Sequence, residues 1–381
     1  MYKRQTLRRD KPGYQYQLES VFAARQIGWD REHVGSHIVR RNRIYDCGQN
    51  GIVGHLGCVF STIEDNQIYN IALKREFYGY EIAGIKLHAA LDVVIRHNRI
   101  HDCSLGTWLD WQTQGTRVSR NLLYGNNRDL FVEVSHGPYL VDHNIFGSKA
   151  SLEVFSQGGA FVNNLVCGTV LLQPVLERPT PYHVPHSTQL AGYAAIHGGD
   201  DRHVGNIFLG GDAALAYGPT SRFGISADYG TAGYNGHPGS MEEYRGLIAD
   251  PTRGDHERFM NVKQPVYIRE NVYLGGAEPF EAEKGAIVLN DDDVTVQVVD
   301  EGGQVHLETK LPDAFNNASV GGITGAELQP VRFVDADFED PDGAAVTLDT
   351  DLVGERKDPT QTYPAGPIAT LRAGSHRTRV W

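Results

Sequence analysis

Asp110 and Glu133 stand 23 residues apart. Each follows an asparagine by 12 residues, Asn98 and Asn121, and precedes another by 11, Asn121 and Asn144. Equal offsets from a recurring residue mean equal places in a structural repeat. Stacked repeats would set the two carboxylates on adjacent rungs, about 4.8 Å apart. A retaining glycosidase needs its two carboxyls about 5–5.5 Å apart, an inverting one about 6.5–9.5 Å. Neighbouring rungs therefore predict retention. One carboxylate would attack the anomeric carbon. The other would protonate the leaving oxygen and then deprotonate water. Stacked like charges also push one pKa up, as a general acid near neutral pH requires.

Aligning the repeats gives a polar column of His55, His88, Asp110, Glu133 and Glu153. Glu153 enters it because it precedes Asn164 by 11 residues. On strands, alternate residues share a face, so Lys86 joins His88, Trp108 joins Asp110 and Phe131 joins Glu133. Trp108 and Trp111 flank Asp110, and apolar ring faces suit the C–H face of a sugar. Charged ladders on solenoids often only solvate a face. Stacked carboxylates, however, are unfavourable unless something compensates them.

The elements that must position this column are read from eight segments, each with an asparagine followed by apolar residues. The asparagines are Asn42, Asn66, Asn98, Asn121, Asn144, Asn164, Asn206 and Asn271, at spacings of 24, 32, 23, 23, 20, 42 and 65. Three residues before them stand Val39, Ile63, Ile95, Val118, Val141, Phe161, His203 and Ile268, with His203 the exception to the apolar rule. Strand-length alternation without a 3.6-residue period argues for short strands. The expected fold is all-β, a right-handed parallel β-helix. Its asparagines would stack at a turn, where their amides bond the rungs above and below and where Asn tolerates left-handed geometry.

Three regions follow: a lead-in over 1–36, the β-helix over 37–275, and an antiparallel β region over 286–381 with strands such as VTVQVVD and QVHLETK. Residues 174–200 and 211–262 read as long excursions, with a helix at SMEEYRGLI. Such loops often line a solenoid's binding face. The lead-in shows no cap, and an uncapped end exposes backbone and core. The expectation is a chain truncated at its N-terminus. MYKRQTLRRD is followed by no apolar signal segment, which favours the cytoplasm.

A net charge of −12 over 381 residues disfavours nucleic acid and anionic membranes as partners and suits a neutral ligand. No run approaches a membrane span. Cys47, Cys58, Cys103 and Cys167 have no metal-ligand spacing and imply no disulfide framework; Cys47 and Cys103 share a repeat position and read as core. No cofactor or metal is expected. NDDDV (290–294) reads as an exposed turn, with calcium binding as the alternative.

The stretch GTWLDWQTQGTRVSRNLLYGNNRDLFVEVSHGPYLVDHNIF (106–146) resembles glycoside hydrolase family 120, the β-xylosidases. That family pairs a WLDW-type motif bearing a nucleophilic Asp with an LFVEV-HGP motif bearing an acid/base Glu. The resemblance therefore makes Asp110 the nucleophile and Glu133 the acid/base. It makes Glu81, in YEIAGIK, a substrate-binding residue; apart from the resemblance, Trp108, Trp111, His88, His136 and Glu153 are also expected to contact the sugar. Relatives commonly carry His before that Glu, where this chain has Tyr80. The implied activity is hydrolysis of β-1,4-xylosidic bonds of xylo-oligosaccharides. Two other classes use β-helices: lyases or epimerases of acidic polysaccharides, which need a basic groove and usually a metal, and non-catalytic carbohydrate-binding solenoids.

Overall fold

The structure, a computed structural model, describes residues 13–74, 81–211, 227–260, 263–290, 293–358 and 360–381. Among these residues the chain winds into a parallel β-helix of three sheets, with eight, nine and six strands. The six-stranded sheet, here the site sheet, includes Asn50–Gly54, Ala83–His88, Thr107–Asp110, Leu130–Glu133, Ala150–Phe155 and Thr169–Leu172. Leu87, Leu109, Val132 and Val154 point inward to the core. Their alternating neighbours face the other side of the sheet.

The eight asparagines form one file. Each side-chain amide donates to the Oδ1 of the next, from Asn42 through Asn271, at 2.9–3.0 Å. The same Oδ1 also accepts the backbone N–H of the preceding asparagine. From Asn66 onward, each amide donates in addition to a carbonyl one rung back. Those carbonyls belong to Val39, Ile63, Ile95, Val118, Val141, Phe161 and His203, the residues three before each asparagine. The file ends at Glu283, whose Oε1 accepts from both the backbone and side chain of Asn271.

Two expectations about this turn are corrected. The left-handed residue is the one before each asparagine: Arg41, Asp65, His97, Arg120, His143, Asn163, Gly205 and Glu270. The asparagine points inward and bonds neighbouring rungs, so its neighbour absorbs the bend. His203 does not weaken its coil. It stacks on Phe161 at 4.7 Å, and burial lowers its pKa to about 3, so the ring fills an apolar slot as neutral imidazole.

The lead-in over 1–36 is expected to lack a folded cap, yet a helix spans Gly13–Gln26. Val21 and Trp29 pack with Val59, Ala89 and Leu91 beside the first coils. The first rung itself remains open among the described residues: Ile38, Tyr45 and Val53 are exposed. Ser240 caps the expected helix, found over Met241–Ile248, by accepting from the Glu243 N–H. The strand Ile287–Leu289 is parallel to Val272–Leu274 and extends the solenoid. Beyond it, Thr295–Asp300, Val305–Leu311 and Gly374–Arg379 form an antiparallel sheet. Val305 and Leu307 share an apolar cluster with Leu122, Ile145, Leu165 and Ile207, so this region covers the outer face of the nine-stranded sheet. No helix among the described residues is long and apolar enough to cross a membrane.

The asparagine file generates a prediction. Asn121 is fully buried, and Asn121→Ala would orphan the Asn98 backbone N–H and remove four further hydrogen bonds, to Asn98, Asn144 and the carbonyls of Ile95 and Ser119. With about 1–3 kcal/mol for the orphaned N–H and about 0.5–1.5 kcal/mol for each of the other bonds, the loss should exceed about 3 kcal/mol in urea unfolding. Asn42→Ala, at the exposed end, should cost under about 1.5 kcal/mol, the net worth of an ordinary hydrogen bond. Equal losses at both positions would show that the file does not hold the rungs.

Candidate active site

Register places the two acids as expected. His88 pairs with Asp110, and Asp110 with Glu133, on neighbouring parallel strands. His55 extends the row, its ring 5.3 Å from that of His88. Glu153 does not belong to it. Glu133 is level with Phe155, and Glu153 with Phe131. Six residues carry the chain from Glu133 to Tyr139, but only four from Phe155 to Gly159, the partner of Tyr139. Counting back from Asn164 across that shorter turn shifted the alignment by two. Glu153 instead binds the buried Arg128 at 2.7 Å.

Lys86 lies at the centre of the site with no solvent exposure. Its ammonium donates to Asp110 Oδ2 and lies 3.4 Å from Glu81 Oε2. His88 Nε2 sits 3.3 Å from the same Asp110 oxygen and 3.1 Å from Glu81 Oε2. Glu81, His88 and Asp110 bring donor atoms within 4.8 Å of one another, and Lys86 supplies the positive charge among them. Asp110 is thereby held by one oxygen. Its Oδ1 is buried and has no hydrogen-bond partner among the described residues. Glu81 takes a left-handed φ of 52°, which turns the chain into the Ala83–His88 strand. Tyr80, just before it, lies outside the described residues, as do Asp291 and Asp292 of the acidic run.

The two carboxyls are pushed apart in pKa. Burial alone would raise Asp110, but His88 and Lys86 outweigh it and hold the carboxyl below its ordinary value. Glu133 moves the other way. Burial raises it first, and the Asp110 charge raises it further, against the opposing pull of Arg178 and Lys86. Such divergence is the arrangement that a carboxylate working beside a proton donor requires.

The aromatic residues serve differently from the sequence expectation. Trp108 lies between Lys86 and Phe131 in the register of the sheet. The Lys86 ammonium sits 3.0 Å from its ring centroid, and Phe131 stacks at 5.2 Å. Those neighbours cover both faces, so Trp108 is a platform for Lys86 rather than for a sugar. Trp111 is also buried, with the Arg178 guanidinium 5.9 Å from its ring. His136 is spent on structure. Its Nε2 contacts the carbonyls of Thr180 and Ala194 at 3.0 and 3.1 Å, and Gln157 approaches its Nδ1 at 2.9 Å. The expected sugar contact from His136 gives way to this tie. In the HGP motif, Gly137 has φ of 72°, and a Cβ there would lie 2.1 Å from the Gly158 carbonyl. Only glycine passes that close.

Sequence reasoning missed Arg178 and the arm that bears it. The excursion after the Thr169–Leu172 strand is an antiparallel hairpin of Val175–His183 and Leu190–Ile196. Val175 and Ile196 pack with Trp108, Trp111 and Phe131. Arg178 pairs with Glu133 Oε1. RPTPYH carried no signal of that contact, because the arm's path depends on tertiary packing. Gln17, from the N-terminal helix, also reaches the row through His55 Nε2 at 2.9 Å.

Comparison with known proteins agrees with this architecture. Residues 30–166 match the family model described as right handed beta helix region. With that, the fold is a right-handed parallel β-helix. No curated protein sequence is significantly similar. Among solved structures, the chain is similar to one described as "The complex structure of XylC with xylose", at 54% identity and a TM-score of 0.93. The similarity covers 99% of this chain and 57% of that one. This chain thus corresponds to somewhat over half of XylC.

Removing Lys86 tests the electrostatic account. Lys86→Met leaves Asp110 buried beside Glu81 without its cation. Breaking a buried ion pair from one side costs about 3–5 kcal/mol. In the wild type, the depressed Asp110 pKa contributes stability above its unfolded value, lost as pH falls through the folded value. The Lys86→Met penalty should therefore be full at neutral pH and shrink in acid. Urea unfolding at pH 7 and at about pH 2, below the ordinary carboxylate value, measures this. A penalty independent of pH would rule the account out.

Proposed function

We propose that this chain carries the catalytic groove of a retaining exo-acting glycosidase, a xylan 1,4-β-xylosidase acting on xylo-oligosaccharides. The observation that carries the reading is the Asp110–Glu133 pair: adjacent rungs, one face, opposite pKa shifts. The similarity to XylC, whose structure contains xylose, supports xylose as the sugar.

In the first step the free Oδ1 of Asp110 bonds to the anomeric carbon as the glycosidic C–O bond breaks. Protonated Glu133 gives its proton to the leaving oxygen. In the second, Glu133 as carboxylate takes a proton from water, the water oxygen bonds to the anomeric carbon, and the bond to Asp110 breaks. Two inversions return the original anomer. Lys86 and His88 keep Asp110 ionised through their hold on Oδ2, which leaves the attacking oxygen clear. Glu81 offsets the Lys86 charge and, 18% exposed, presents a carboxylate beside the reacting centre. A hydroxyl of the bound xylose would donate to it. The lyase alternative would abstract a proton beside a substrate carboxylate, and these acids disfavour such a ligand.

The two acids can be separated by experiment. With an aryl β-xyloside, Glu133→Ala should still form the intermediate, because nitrophenolate leaves without a proton. Azide should then restore turnover and give the β-azide. Asp110→Ala should lose the first step, and azide should give the α-azide. Opposite anomers would swap the roles, and absence of rescue in both would remove this pair from the chemistry. In the wild type, kcat/KM should be bell-shaped with pH. Its acid limb should lie below the ordinary carboxylate range and its alkaline limb above, as the paired system loses its two protons.

A further inference from the structure

We propose that Arg178 recognises the leaving-group sugar, and that its contact with Glu133 marks where that sugar binds. The inference rests on the glycosidase reading above. Three observations lead to it.

The arm is fixed by residues that follow each catalytic acid. Gln112 and Gln114 follow Asp110. Gln112 Oε1 lies 3.1 Å from His183 Nε2, and Gln114 exchanges two hydrogen bonds with the His183 backbone at 2.8 and 2.9 Å. His136 follows Glu133 and contacts the carbonyls of Thr180 and Ala194. The arm's backbone is therefore tied to the two catalytic rungs. Arg178 is held over them by its own strand, with its side chain 27% exposed.

The contact itself conflicts with the chemistry. Glu133 must carry a proton when it meets the leaving oxygen, yet a guanidinium favours the carboxylate. The charged groups acting on Glu133 are Asp110 on its neighbouring strand, Lys86 one strand further and Arg178 on the arm. Asp110 and Lys86 are buried and locked together on the same face of the sheet, whereas Arg178 is partly exposed and can rotate into solvent. The pair with Arg178 is the one that must open in the reactive complex.

An opened guanidinium has a defined partner. It offers five N–H donors and no acceptor, which suits clustered hydroxyl oxygens. Because Glu133 must touch the leaving oxygen, a group displaced from Glu133 lies on the leaving-group side. The leaving sugar thus takes Arg178 from Glu133 as it binds. Substrates with a hydroxylated leaving group would use this exchange, and aryl glycosides would not.

Arg178→Ala and Arg178→Lys test the proposal with xylobiose and 4-nitrophenyl β-xyloside. For Arg178→Ala, KM for xylobiose should rise about tenfold or more, the worth of one charged hydrogen bond. KM for the nitrophenyl substrate should hold. The alkaline limb of kcat/KM should move up by about 1 pH unit or more, because Glu133 loses a cation and keeps its proton longer. Arg178→Lys should keep the limb near wild type, since the charge remains, but should not recover KM, since the planar fork is gone. Equal losses on both substrates, or an unmoved limb, would overturn the role of Arg178 alone. A wild-type protein that hydrolyses neither substrate would overturn the glycosidase reading and this inference with it.

Discussion

The asparagine file sets the register on which everything else depends. One amide oxygen per rung accepts a side-chain and a backbone N–H from the rung before it. That double acceptance leaves no freedom to slip by one residue, and slippage by one would turn each side chain to the opposite face. Asp110 and Glu133 face the same way because Asn98, Asn121 and Asn144 are in line. The site sheet is thus positioned from across the solenoid core, by residues that never touch the groove.

Close register has an electrostatic cost that the site must offset. Stacked carboxylates repel, and burial disfavours their charges further. The compensation is asymmetric. On the Asp110 side, Lys86 and His88 come from the rung before and converge on one oxygen. Trp108 supports Lys86 with its ring face, which helps a buried ammonium in a place with little water. On the Glu133 side, the cation in direct contact is Arg178, the partly exposed end of an arm side chain. A fixed cation suits a group that must stay ionised. On the proposed reading, a partly exposed one suits a group that changes its protonation within one turnover.

How far the sequence revealed this depends on how local each determinant is. The asparagines, their apolar partners and the Asp110–Glu133 offset were legible, because each repeats within a coil. Glu153 was misplaced because a turn two residues shorter is invisible when counting from a single marker. The left-handed residues before the asparagines include Arg, His and Glu. No composition signal marks them, since the hydrogen bonds of the rung enforce their geometry. Trp108 looked like a sugar platform only until its rung neighbours were known. Lys86 shared its face in the alternation pattern, but its role needed the stacking order. The arm was visible as an excursion, and Arg178 within it was not.

The same logic separates what the coil supplies from what the insertions supply. A coil repeats its neighbour's geometry, so it can deliver two similar groups at a fixed rise, as the proposed double displacement would require. It cannot by itself deliver difference, and the two acids must differ. Difference enters through residues that the repeat does not dictate: Lys86 and His88 one rung back, Glu81 at a turn, and Arg178 on a hairpin inserted between coils. Each lies near the repeat but not at an equivalent of the catalytic position, except His88, which fills that position with an imidazole. The division explains why the arm is anchored by Gln112, Gln114 and His136, two to four residues after Asp110 and Glu133. An insertion tied to the rungs it serves inherits their precision, and a side chain on it can still move.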